Sequence, residues 1–127
     1  SKRAIIIDGL GGGNLAMPEM AKSGVIHSTR GYQPMALTHY EASWCEDTKG
    51  LEAPVYPGTN WEKKTWTRET LLEHYKPWKE VENQGVKVHV GECGCYNKVD
   101  NTLALNWFKD LFSVDRDLYE LMKAAIK

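Results

Sequence analysis

The sequence predicts an α/β fold with parallel strands, and three observations carry that expectation. A β-branched apolar run, AIIID at residues 4–8, empties into a glycine cluster. A second such run, VKVHVGE at 86–92, follows a stretch in which Leu71, Leu72, Tyr75 and Trp78 recur at helical spacing. Two further helical stripes close the chain, and strands alternating with helices pair in parallel because each helix carries the chain back across the sheet.

Each element has its own local reason. AIIID reads as a buried strand ending at Asp8, and Gly9, Gly11, Gly12 and Gly13 read as the loop that leaves it. MPEMAKSG suits a short helix, with Pro18 tolerated in the first turn and Gly24 as the stop. VIHS is a further short extended piece. PMALTHY, residues 34–40, reads as the second full strand, whose period of two points Met35, Leu37 and His39 one way and Ala36, Thr38 and Tyr40 the other.

From Glu41 to Thr67 no period persists, while Gly50, Pro54, Pro57 and Gly58 accumulate with Trp44, Trp61 and Trp66. A loop that long inside a compact domain is usually functional or disordered, and the tryptophans favour function. TRETLLEHYKPWKEVENQG then carries a helix with polar starts at Thr67 and Thr70, an interruption expected at Pro77, and a stop at Gly85. The strand VKVHVGE turns Val86, Val88, Val90 and Glu92 to one face. A helix capped by Asp100 or Asn101 runs over DNTLALNWFKDLF, and a last one spans Asp115 to Ile126 with Leu118, Leu121, Met122 and Ala125 on its stripe. These two helices meet at Ser113 and Val114, where the alternation calls for a strand.

At 127 residues the chain has the length of a single domain, 1–127, with room for a real core. Its 42% hydrophobic and 26% charged residues and net charge of −1 give no basic face for nucleic acid. No run is apolar for the eighteen or so residues a membrane helix needs. Cys45, Cys93 and Cys95 are an odd number, so they read as reduced packed thiols, and no compartment follows from them.

Working groups in parallel α/β folds lie at the carboxyl ends of the strands, which here offer Asp8, His39 and Glu92. An ionised carboxylate is costly to bury, so Glu92 between glycines ends its strand either in water or in a working site. By periodicity His39 and Glu92 point inward if their strands neighbour one another in a barrel. Spacing alone favours a solvated acid and a structural histidine over a catalytic pair. The cluster DGLGGGN lacks the Gly-Lys-Ser/Thr of a P-loop and has Asn14 where a dinucleotide loop needs its third glycine. Cys93-Gly94-Cys95 with His89 has no second ligand pair, so no metal or cofactor is expected. No G-x-S-x-G elbow occurs, and nothing activates Cys93 as a nucleophile.

VHVGECGCYNK followed by LALNWFKDLFS resembles the seventh strand and next helix of glycoside hydrolase family 5, the cellulase family, where a strand ends in G-E-x-G and the Glu is the nucleophile. The resemblance extends through IIIDGLGGGN, RGYQPMALTHYEASW and TWTRETLLEHYKPW, and so covers most of the chain. It implies a (β/α)8 TIM barrel, of which the chain holds strands five to seven and the terminal helix, and hydrolysis of β-linked glucans with retention. It makes Glu92 the nucleophile and His39 the site-lining histidine at the end of strand six. The family often sets a tyrosine two positions after that histidine, whereas Tyr40 is adjacent to it. Trp44, Trp61 and Trp66 are the expected glucan contacts.

The departures are equally specific. A whole barrel of this type takes roughly 250 residues. Strands one to four are absent, and with them the Asn-Glu pair whose Glu is the general acid/base; this sequence contains no such pair. After DLFS the chain passes to VDRDLYELMKAAIK, similar to the family's terminal helix, without the eighth strand. The expected partners are therefore a β-glucan oligosaccharide or polysaccharide, and a complementary half-barrel chain or a homo-oligomer. The other reading is a non-catalytic half barrel that binds glycan or self-associates through open sheet edges.

Overall fold

The computed structural model describes residues 3–125, with the side chains of all of these except 115 and 117–125. Strand β1, Ile6–Asp8, lies where the β-branched run predicts it, but it is an edge strand with Ile6 exposed rather than the buried strand expected. A four-residue turn, α1 (Leu10–Gly13), follows, and Pro18–Ser23 form a 3-10 segment that stops at left-handed Gly24. The second strand, β2, is Ile26–Gly31.

That position corrects the expected strand at residues 34–40. Met35–Thr38 instead form a short helix, α2, entered from Pro34. Met, Ala and Leu are strong helix formers, and Ala36, Leu37 and Thr38 are buried in succession rather than alternately. IHSTRG, by contrast, is buried nearly throughout, as a strand covered on both faces must be.

Inside the long segment, β3 (Thr59–Trp61) and β4 (Lys64–Trp66) form an antiparallel hairpin. Its turn residues Glu62 and Lys63 both take positive φ, the geometry that matches a two-residue turn to strand twist. Helix α3, Arg68–Asn83, starts where the Thr70 hydroxyl accepts the Thr67 backbone N–H at 3.2 Å. It continues through Pro77 because that residue is exposed, so water can satisfy the carbonyl that proline leaves unpaired. Leu71, Tyr75, Trp78 and Val81 form its buried stripe.

Strand β5, Val88–Cys93, completes a parallel sheet in the order β1-β2-β5. Helix α4, Asn101–Ala125, is capped by Asp100, whose Oδ1 accepts the Leu103 N–H at 3.1 Å. A single helix thus replaces the two expected, and Ser113 and Val114 lie within it. The stripe of Leu118, Leu121, Met122 and Ala125 lies outside the described side chains. Leu37, Trp66, Leu71, Tyr75, Trp78, Val99, Trp107, Leu111 and Val114 form the core, which joins α3 and α4 to the hairpin and α2. The Trp107 indole N–H donates to the Gln33 carbonyl at 3.0 Å, tying α4 to the loop leaving β2.

Candidate functional site

The carboxyl ends of the three parallel strands present Asp8, Arg30 and Glu92. In the β2–β5 ladder Thr29 stands opposite Val90, but Arg30 stands opposite Glu92, so Gly91 is an extra residue in β5. Paired residues share a face and neighbours alternate, so this bulge moves Glu92 off the face of Val88 and Val90 and onto that of Arg30. The single face expected for Val88, Val90 and Glu92 is corrected accordingly. A Cβ at 91 would lie 2.3 Å from the Ser28 hydroxyl, so any larger residue there requires that side chain to shift.

Arg30 sits between the two acids. Its Nη2 donates to Asp8 Oδ2 at 2.5 Å, and its Nη1 pairs with Glu92 Oε1. Glu92 is 48% exposed, so it ends its strand in water while held by a cation. Hydrogen bonding from Arg30 outweighs desolvation and holds the Asp8 carboxyl below the usual range, with smaller help from Ser28 and His89. An acid kept ionised in this way is unsuited to giving a proton to a leaving group.

The structure distributes the other expected site residues unevenly. His39 caps α2 rather than ending a strand; its Nδ1 lies 2.9 Å from the Thr38 hydroxyl, and burial pushes its pKa down. Its ring meets Tyr32 edge to face at 5.3 Å. The resemblance expects a histidine at the end of the sixth strand and a tyrosine two positions on, whereas the end of β2 carries Arg30 and then Tyr32. Sequence reasoning missed both residues because it placed the strand further along the chain. The cue was RGY, a charged residue and an aromatic separated by one glycine after VIHST.

Tyr40 and Trp61 are half-buried against the core. Trp66 is 1% exposed, and its indole N–H donates to the Trp61 carbonyl at 3.1 Å. It has no free face for a sugar, which overturns its expected role as a glucan contact. Trp44, at 63% exposure, keeps its surface open and meets Tyr96 edge to face at 4.7 Å. Tyr96 belongs to the loop that leaves β5, and its backbone N–H donates to the Thr38 carbonyl at 2.7 Å. Trp44 and Tyr96 thus bring the loops after α2 and β5 together.

A groove of about 720 Å³ opens along β5 on its α3 and α4 side, lined by Trp78, Val88, Val90, Leu111 and Phe112, and Glu92 lies at its rim. Among the described residues no three His, Cys, Asp or Glu side chains cluster as a metal site. No described helix is long and apolar enough to cross a membrane.

No protein-family model matches the sequence, and no curated protein does. Solved structures do match. One, described as a glycoside hydrolase, is 56% identical with a TM-score of 0.88, over 91% of this chain and 35% of its own. A hyperthermophilic endo-β-1,4-glucanase in complex with substrate is 28% identical with a TM-score of 0.67, over 91% of this chain and 37% of its own. Cel5A of Thermotoga maritima, in complex with mannotriose, has a TM-score of 0.65 at 21% identity over 93% of this chain and 38% of its own, which speaks for the fold alone. The chain spans little more than a third of these structures, and its parallel sheet and helices form a partial (β/α)8 barrel.

Proposed function

Because the chain is a partial barrel similar to glycoside hydrolase family 5, the cellulase family, we propose that it is the nucleophile-bearing part of a retaining β-glucanase, with Glu92 as nucleophile. The observation that carries this reading is the bulge at Gly91, which turns a half-exposed carboxylate at a strand end toward a cation. Bulges beside working sites serve to re-aim a side chain in this way.

In the first step a Glu92 carboxylate oxygen bonds to the anomeric carbon of a β-linked glucose unit. The glycosidic C–O bond breaks, and the departing oxygen takes a proton from a general acid. Water then attacks the same carbon, loses its proton to the conjugate base of that acid, and releases Glu92 as a carboxylate. Retention needs the two carboxyl groups about 5 to 5.5 Å apart across the bond. Asp8, held ionised by Arg30, is unsuited to the acid/base role, which this reading leaves to a complementary half-barrel chain. The eighth strand of such a barrel would pair with the outer edge of β5, the last strand of the described sheet.

Leaving-group protonation contributes about 10² to 10⁴ in rate, but a dinitrophenolate leaving group needs little of that help. The test is therefore incubation with a dinitrophenyl 2-deoxy-2-fluoro-β-cellobioside, followed by peptide mass mapping. One covalent sugar on the peptide containing Glu92, absent in Glu92→Gln, is the expected result. Labelling that survives Glu92→Gln overturns the assignment.

The non-catalytic reading draws on a separate observation, the exposure of Ile5 and Ile6 at the β1 edge. Exposed apolar strand edges associate. If that is the working state, sedimentation gives an oligomer that retains cello-oligosaccharide binding and takes no covalent label.

A further inference from the structure

We infer that Arg30 is the positioning residue of the site: it holds one oxygen of Glu92 and leaves the other free to attack, while Asp8 and Gly13 hold Arg30 itself. This rests on the reading of Glu92 as nucleophile, but it concerns a different residue and has its own readout.

The geometry is over-determined from four elements. The Arg30 carbonyl accepts the Tyr75 hydroxyl of α3 at 2.9 Å, which fixes the backbone. Gly13 carries the Arg30 stem: a Cβ there would lie 2.5 Å from Arg30 Cγ, and its φ of +80° suits glycine. The Gly13 carbonyl accepts the Thr29 hydroxyl at 3.0 Å, which locks that loop to β2. At the tip, one guanidinium nitrogen meets Asp8 on β1 and the other meets Glu92 on β5.

Half-exposed ion pairs usually contribute little, because holding two flexible side chains offsets the attraction. Here the stem is confined and the planar fork is pre-organised, so little freedom is lost when Glu92 docks. Only Glu92 Oε1 takes a described charged partner. Arginine also stays charged throughout the working pH range, whereas a histidine in that place would release its proton near neutrality. The other titratable groups around the pair are His89 beside Asp8, and Tyr75, Lys79, Glu82, Cys93 and Arg116 along the groove.

The experiment is a pH titration of the Glu92 side-chain carboxyl by carbon NMR on the whole chain, the resonance being identified by its loss in Glu92→Gln. Arg30→Met and Arg30→Gln should move the midpoint upward by at least about one pH unit, and Arg30→Lys should restore part of the difference. Gly13→Ala leaves both partners of the ion pair unchanged but displaces the stem, so it should move the midpoint in the same direction. An unchanged midpoint in folded Arg30→Met or Arg30→Gln overturns the inference. If both unfold, Gly13→Ala decides by the same criterion, and freely rotating Arg30 guanidinium N–H signals in the unmodified chain overturn it as well. Lack of covalent sugar labelling would defeat the nucleophile assignment and leave this titration intact.

Discussion

Arg30 and Glu92 are partners across the β2–β5 ladder one step beyond a break in register, and the break is a single glycine. Without Gly91 the strand periodicity would turn Glu92 to the α3 face, away from Asp8 and Arg30. Gly91→Ala should therefore cost about 1 to 3 kcal/mol, since the new methyl meets the Ser28 hydroxyl and the packing must shift. Ser28→Gly in the same chain should recover most of that loss in urea unfolding. Simple addition of the two single-variant effects would show that the clash at 91 is not what constrains the bulge.

Strands β1 and β5 were legible because each is a β-branched run that ends at a clear glycine break. Strand β2 was not: IHSTRG mixes polar and charged residues, while PMALTHY offers an apparent period of two that is in fact one helical turn. The hairpin of Thr59–Trp66 was hidden by Glu62 and Lys63, which take left-handed turn positions normally marked by Asn or Gly. The motif singles out Glu92 as a candidate, but its direction depends on the Gly91 bulge and its partner on where β2 lies. Both follow from pairing between strands distant in sequence, which no local pattern encodes. An isolated glycine inside VHVGEC was the one available hint of a bulge.

Trp44 and Trp66 separate binding from folding. Trp44→Ala removes an exposed ring and its edge contact with Tyr96, so it should cost no more than about 0.5 to 1.5 kcal/mol, while affinity for cello-oligosaccharides falls about tenfold if the ring stacks on sugar. Trp66→Ala empties a fully buried site and should cost about 3 to 5 kcal/mol. Urea unfolding and calorimetric titration of the same two proteins check both halves. Equal binding loss per folded molecule in each would remove Trp44 from the sugar surface.

A partly buried polar contact ties the long segment before α3 to α4. The Tyr56 hydroxyl donates to Asp110 at 2.7 Å, and burial followed by that carboxylate pushes its pKa far up, so the phenol stays protonated and donating. Tyr56→Phe should destabilise the fold by about 1.5 to 3 kcal/mol, the range for a hydrogen bond to a charged group. Cleavage between residues 41 and 58 under limited proteolysis should rise in parallel. Unchanged proteolysis would mean that the segment is held by its aromatic packing alone.

His74 gives the fold an acid-sensitive point. It lies between the rings of Trp66 and Tyr75, and burial, with a smaller repulsion from Lys64, pushes its pKa down to about 4. In the unfolded chain the same imidazole titrates near 6.5. Between these two values the unfolded state binds more protons than the folded one, so folding stability must fall as pH drops from about 6.5 to about 4. The loss attributable to His74 is on the order of 3 kcal/mol across that window. His74→Phe keeps a ring against Trp66 but cannot titrate, so its urea midpoint should change far less than that of the unmodified chain between pH 7 and pH 5. Parallel pH dependence in the two proteins would assign the acid sensitivity to groups other than His74; the Asp8–Arg30 contact is not one of them, because its depressed carboxyl pKa keeps its contribution until the pH falls below the ordinary carboxylate range.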